Sequence, residues 1–169
     1  MQTGFTHEST KNETVEWYTP PSIFELLRFP EFDLDPCSPG LGRCYVPAKK
    51  CYTKEDDGLT KDWFGRVFVN PPYGNETWKW LKKLYEHGNG IALVFARTDT
   101  EWFHLYGAKA TAIAFLVGRV KFMRADGTQG GSPGCGSMLL AYGDECADLL
   151  VNAGVGYTVD NRMRKVRIL

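Results

Sequence analysis

The segment Val67-Phe68-Val69 runs straight into Asn70-Pro71-Pro72-Tyr73, followed by Gly74-Asn75. Three β-formers followed by two prolines end a strand, because proline has no N–H with which to continue a ladder. The rigid turn also fixes what it carries. The side-chain carbonyl of Asn70 is an acceptor, and the backbone carbonyl of Pro71 is a second one close by. Two acceptors held together suit an NH2 group, which has two hydrogens to place, while Tyr73 offers a ring face to a planar partner. An exocyclic amine on a flat heterocycle, such as N6 of adenine, matches all three features. Such an amine is a poor nucleophile because its lone pair is delocalised into the ring. Accepting both hydrogens favours a pyramidal nitrogen and stabilises the positive charge that develops during attack. The competing reading is a proline-rich turn whose tyrosine simply packs, and the tetrapeptide alone does not choose between them.

The flanking sequence supplies elements that position this turn. Thr19-Pro20-Pro21-Ser22 has the form of a helix start, with Thr19 as N-cap and Pro20 in the first turn. Ile23, Phe24 and Leu27 then give an apolar face that ends before Pro30. Phe32 to Asp35 alternates and stops at Pro36, as a short strand does, and Lys50 to Thr53 is a second short strand. After the Val67–Asn70 strand, Asn75 is placed to cap a helix carrying Thr77, Trp80, Leu81, Leu84 and Tyr85 at helical spacing, closed by Gly88. Strands are expected at 91–95, 112–116, 120–122 and 137–142, with helical pieces near 100–106 and 145–153 and a terminal pair at 157–159 and 166–169. Residues 123–136 form a Gly-rich loop. Strands alternating with helices imply an α/β fold with a largely parallel sheet, whose ligands bind beyond the carboxyl ends of the strands. Asp35 and Asn70 are both expected at such ends.

At 169 residues the chain is long enough for one well-cored domain, with a flexible first dozen residues. The longest apolar run, Ala112 to Val117, is strand-sized, and the polar start MQTGFTHEST lacks a signal-peptide pattern. A soluble cytoplasmic protein with no membrane partner follows. Five cysteines is an odd number, which favours free thiols over a disulfide framework. Cys37, Cys44 and Cys51 are evenly spaced, but zinc takes paired Cys or His ligands and four of them, so no metal is expected. The net charge of +0 hides a segregation: residues 1–62 carry 7 basic and 11 acidic side chains, residues 63–143 carry 9 and 5. A mixed solvated surface explains this equally well as an acidic end facing a cationic ligand and a basic middle facing a polyanion.

The ordered set EWYTPP, FDLDPCSPG, DDGLTKDW, VFVNPPYG and FLVGRVKF resembles the phage-type DNA adenine N6-methyltransferases across residues 16–142, most of the chain. The resemblance implies a single Rossmann-like S-adenosylmethionine-dependent methyltransferase domain, here with a shortened cofactor half and no separate target-recognition domain. It implies that Asn70, Pro71, Pro72 and Tyr73 hold and stack the target base. It further implies cofactor contacts from Thr19, from Asp35, Pro36 and Cys37, and from Asp57, Gly58 and Leu59. A carboxylate at Asp35 complements a sulfonium charge, and one at Asp57 accepts from an adenine NH2. The chain departs from the family in its Gly-rich cofactor loop, which is reduced to Ser38-Pro39-Gly40-Leu41-Gly42, and in the short interval from Asp35 to Asp57. Glu55 and Asp56 are the weak candidates for a ribose carboxylate.

Adenine N6 in duplex DNA is tied up in pairing, so the base must be flipped into the Asn70–Tyr73 pocket. Arg119, Lys121 and Arg124 border the Gly-rich loop and Arg97 follows a strand end, which places these four as DNA contacts. Lys79, Lys82 and Lys83 serve equally as phosphate contacts or as a solvated helix face, and Arg162, Arg164, Lys165 and Arg167 form a basic tail. Adenine in RNA and a protein glutamine present the same NH2, and the degenerate cofactor loop also admits a non-catalytic nucleic-acid-binding relic. The oligomeric state stays open between a monomer and a weak dimer.

Overall fold

The computed structural model describes residues 17–28, 31–40 and 44–163. Seven strands form one sheet: β1 (Phe32–Asp35), β2 (Ala48–Cys51), β3 (Val67–Val69), β4 (Gly90–Phe95), β5 (Ala112–Leu116), β6 (Ser137–Tyr142) and β7 (Gly156–Asp160). Their spatial order is β2-β1-β3-β4-β6-β5-β7. The first four strands are mutually parallel, and β6 and β7 are reversed, so the second half pairs antiparallel. The fold is α/β and Rossmann-like, with the parallel pairing confined to the first half of the sheet.

Helices cover both faces because the strands alternate between two cores. Phe68, Ile91, Leu93, Leu139 and Ala141 face one way and pack under α1 (Pro21–Leu27) and α4 (Asp144–Ala153). Val67, Val69, Ala92, Val94, Met138 and Leu140 face the other way, beneath α2 (Thr77–His87) and α3 (Glu101–Leu105). Period-two alternation with both faces apolar is what a fully covered sheet requires. α2 turns its Trp80, Leu81 and Leu84 inward and stops at Gly88, whose φ of 73° and N–H to the Leu84 carbonyl make the left-handed cap.

The topology fixes where a ligand can sit. The chain leaves β1 to one side for β2 and returns on the other side as β3, so the loops after β1 and β3 diverge. A crevice opens at such a switch point. Asp35 ends β1 and Asn70 follows β3, so both stand at its lip.

Several local expectations are corrected. Pro20, not Thr19, is the N-cap of α1, and Glu76, not Asn75, occupies that place in α2; neither makes a side-chain capping bond. The second strand begins at Ala48 and ends at Cys51 rather than spanning 50–53. Residues 120–122 are not a strand: buried Val120 and Phe122 alternate with exposed Lys121, but the segment has no ladder partner apart from single bridges from Met123 to Tyr18 and Gln129. Burial of alternate side chains under a loop imitates strand patterning. The frayed start, Glu16, Pro30, Leu41, Gly42 and the tail at 164–169, with Arg164, Lys165, Arg167 and the 166–169 strand, lie outside the described residues.

Phe68 is fully buried, with ring centroids 4.8 Å from Phe24 and 5.2 Å from Phe32. Phe68→Ala should cost about 3–5 kcal/mol in urea unfolding, as expected for an aromatic removed from a packed core.

Candidate active site

A cavity of about 520 Å³ occupies the switch-point crevice. It is lined by the strand ends at Asp35 and Asn70, by Trp17 to Thr19 ahead of α1, and by the 53–58 turn. Asn70, Pro71, Pro72 and Tyr73 all line it, as do Thr19, Asp35, Pro36, Cys37, Asp57 and Gly58. Residues far apart in sequence are thus brought to one space.

Asp35 is 2% exposed, and its carboxylate accepts from the Cys37 N–H at 3.1 Å and the Cys44 thiol at 3.3 Å. Burial raises its carboxyl to about 7, against the lowering effect of those two hydrogen bonds. Thr19 is 3% exposed, and its hydroxyl has no partner among the described residues. A buried hydroxyl without a partner, opening on a cavity, is suited to an acceptor brought in by a ligand. Gly58 lies against the loop after β1: a Cβ there would fall 1.9 Å from the Pro36 carbonyl oxygen. Only glycine lets the two walls approach so closely. Leu59 turns away and packs against the apolar cluster under α2. Asp57 is exposed at the rim with φ 53°, and Asp56 is occupied by its own turn, accepting from the Thr53 N–H and hydroxyl. Glu55, in contrast, lines the cavity.

The Asn70 side chain is held at both ends. Its Nδ2 donates to the Trp17 carbonyl at 2.8 Å, and its Oδ1 accepts from the Tyr73 hydroxyl at 3.2 Å. The Tyr73 ring stacks on Phe95 with centroids 4.0 Å apart and meets Phe122 edge-on. So one of the two acceptors expected for a ligand amine carries a hydrogen bond from Tyr73, whereas the Pro71 carbonyl receives none among the described residues. The turn itself is pinned to α2 by the Thr77 hydroxyl, which donates to the Pro72 carbonyl at 3.0 Å. The Cys37 thiol donates to the Asn70 backbone carbonyl at 3.0 Å, coupling the β1 and β3 ends.

Residues 6–148 match the family model described as DNA N-6-adenine-methyltransferase (Dam). The chain belongs to the Dam family. No curated protein and no solved structure showed a match. Within this Dam protein, the candidate DNA contacts stand outside the cavity. Arg119, Lys121 and Arg124 are exposed along the loop after β5, and Arg97 follows β4 with its Nε 3.9 Å from Asp99. Phe122 lies between Lys121 and Met123, so that loop runs from the exposed cations to the Tyr73 ring.

Other cations have structural partners. Lys83 donates to the carbonyls of Gly58, Leu59 and Lys61, tying the cavity wall to α2. Lys79 and Lys82 pair with Glu76 and Glu86 on the helix surface. Arg162 bridges Asp144, Asp148 and Asp160. The contacts that Trp17, Phe95 and Lys83 make here are not legible in the sequence, because a backbone carbonyl, a strand-end ring and a helix-surface lysine carry no local signal of what they touch.

The buried carboxyl makes stability depend on pH. A raised native pKa means the folded chain holds a proton that the unfolded chain releases near 3.8. The resulting stabilisation is full below pH 3.8 and is lost as pH rises through about 7. Burial pushes the thiols of Cys37 and Cys44 upward, so neither titrates in this window. Asp35→Asn should flatten this fall, which amounts to at most about 4 kcal/mol, and should leave the variant more stable than the parent at pH 8. Urea unfolding at pH 5 and pH 8, in buffer containing a chelator, measures it.

Proposed function

We propose that this chain methylates N6 of an adenine flipped out of DNA, using S-adenosylmethionine. The observation that carries the reading is one cavity joining the buried Asp35 carboxylate and the unpartnered Thr19 hydroxyl to the Asn70–Tyr73 turn. Its volume falls within the roughly 300–1,000 Å³ typical of small-molecule sites. The cofactor, when bound, supplies a methyl group made electrophilic by a positively charged sulfonium.

The chain's own residues then position and exclude. Asp35 offers negative charge to the cationic half of the cofactor, and Thr19 donates to its carboxylate. Asp57 accepts from the adenine amine at the rim, and Glu55 is the better placed of the two acidic candidates for ribose hydroxyls. The Trp17 carbonyl keeps Nδ2 of Asn70 occupied, which leaves Oδ1 as the group available to a target amine. An entering base takes over that acceptor from the Tyr73 hydroxyl, and the Pro71 carbonyl receives the second hydrogen. Neither a metal nor a covalent nucleophile is invoked: orientation and electrostatics carry the transfer.

Asn70→Ala should lower methyl transfer to adenine-containing DNA at least about 10²-fold, the scale of losing one preorganised polar group, while cofactor affinity measured by calorimetry stays nearly intact. Full turnover in that variant would remove Asn70 from the chemistry. Running the same labelled-methyl assay on RNA and on a glutamine-bearing protein tests the other acceptors of an identical turn. For the DNA contacts, neutralising Arg119 and Lys121 together should reduce the slope of log affinity against log salt by about 2. An unchanged slope would place the phosphates elsewhere.

A further inference from the structure

Asp35, Cys44 and Cys51 bring one carboxylate and two thiols together, with all ligating atoms within 4.8 Å of one another. Asp35 and Cys51 are register partners on the parallel strands β1 and β2, so the sheet itself fixes two of the three groups side by side. Cys44 arrives from the connection between those strands, with its sulfur 3.3 Å from Asp35 Oδ2. Sulfur and oxygen bound tetrahedrally to one zinc ion, at about 2.3 and 2.0 Å, stand roughly 3.5 Å apart. The spacing already present is close to that edge.

We propose that Asp35, Cys44 and Cys51 bind one zinc-class divalent cation, with the fourth position open to water. Two thiolates select a soft or borderline metal over magnesium or calcium, and three protein ligands leave the open place usual in non-structural zinc sites. The evenly spaced cysteines by themselves point away from a metal, because they lack a fourth ligand. Asp35 enters the set only through strand pairing, and Cys37 leaves it because its thiol faces the Asn70 carbonyl. The carboxylate's partners among the described residues are a backbone N–H and the Cys44 thiol, neither of them a cation. Binding replaces the two thiol protons, which pass to solvent, so affinity rises with pH. The loaded site ties the β1–β2 connection to both strand ends and takes up the Asp35 carboxylate, so it excludes the sulfonium contact assigned to Asp35 under the proposed function.

The test uses the full chain, reduced and stripped of metal, titrated with Co²⁺ and then displaced by Zn²⁺. One equivalent should bind with a thiolate-to-cobalt charge-transfer band, and Cys44→Ser or Cys51→Ser should each weaken binding at least about tenfold. Cys135→Ser and Cys146→Ser should leave it unchanged. Circular dichroism of each variant checks folding, and Cys51→Ser, on the half-exposed edge strand, keeps the test available if Cys44→Ser unfolds. Absence of the band, or a band that survives in a folded Cys51→Ser chain, overturns the proposal.

Discussion

A carboxylate sealed from water at the end of a strand is the constraint around which this site is built. Asp35 cannot be moved outward, since the parallel pairing of β1 with both β2 and β3 holds it in the middle of the left half of the sheet. It also cannot be left bare, because an ionised group without partners in a low-dielectric interior is costly. Two donors lessen that cost without removing it, and the raised titration is the residue of the imbalance. A site in this condition favours anything positive that reaches it. Its location at the switch point, where the loops after β1 and β3 part, gives such a ligand a way in.

The Asn70 turn shows a second balance. Its tyrosine is folded back on Phe95 and hydrogen-bonded to the very oxygen that a target amine would use. Ring stacking of this kind contributes about 0.5–1.5 kcal/mol beyond burial, and a neutral hydrogen bond about 1 kcal/mol net. A nucleobase stacking on the same ring gains about 1–3 kcal/mol. The two sets of contacts are of similar size. The turn satisfies its own polar groups, and on the proposed reading an incoming base exchanges these contacts for its own. Preorganisation rests on what does not move: Nδ2 on the Trp17 carbonyl, Pro72 on Thr77, and the Asn70 carbonyl on Cys37.

How much of this is legible in the sequence follows from whether the determinants are local. Strand β1 carries its boundary in alternation and in Pro36, β5 and β6 carry theirs in apolar runs bounded by Gly118, Gly136 and Gly143, and the turn at Asn70-Pro71-Pro72-Tyr73 is marked by four adjacent residues. Capping failed to be legible because Thr19 and Asn75 have the right side chains but the backbone turns one residue later. The 120–122 segment misled because burial under a loop alternates just as burial in a sheet does. Lys83 reads equally as a phosphate contact or a solvated lysine, yet it holds three carbonyls of a loop more than twenty residues upstream. Long-range partners of this kind are set by the fold, and no window of sequence contains them.

The connection after β1 sits at the lower limit for a parallel crossover. Parallel strands need a crossover of roughly a dozen residues, usually with a helix in it. Only residues 36–47 separate β1 from β2, and their described part contains no helix. A helix after β1 would present its N-terminal amides to an anionic ligand group. Among the described residues of this connection, Pro36 to Pro39 and Cys44 to Val46 line the cavity, and on the proposed reading the negative charge of a ligand is recognised elsewhere. Thr19 lines the same cavity, buried and without a partner among the described residues, just before α1. On the proposed reading, the Thr19 hydroxyl takes the part such a helix end would play, while the Asp35 carboxylate stays where the sheet puts it.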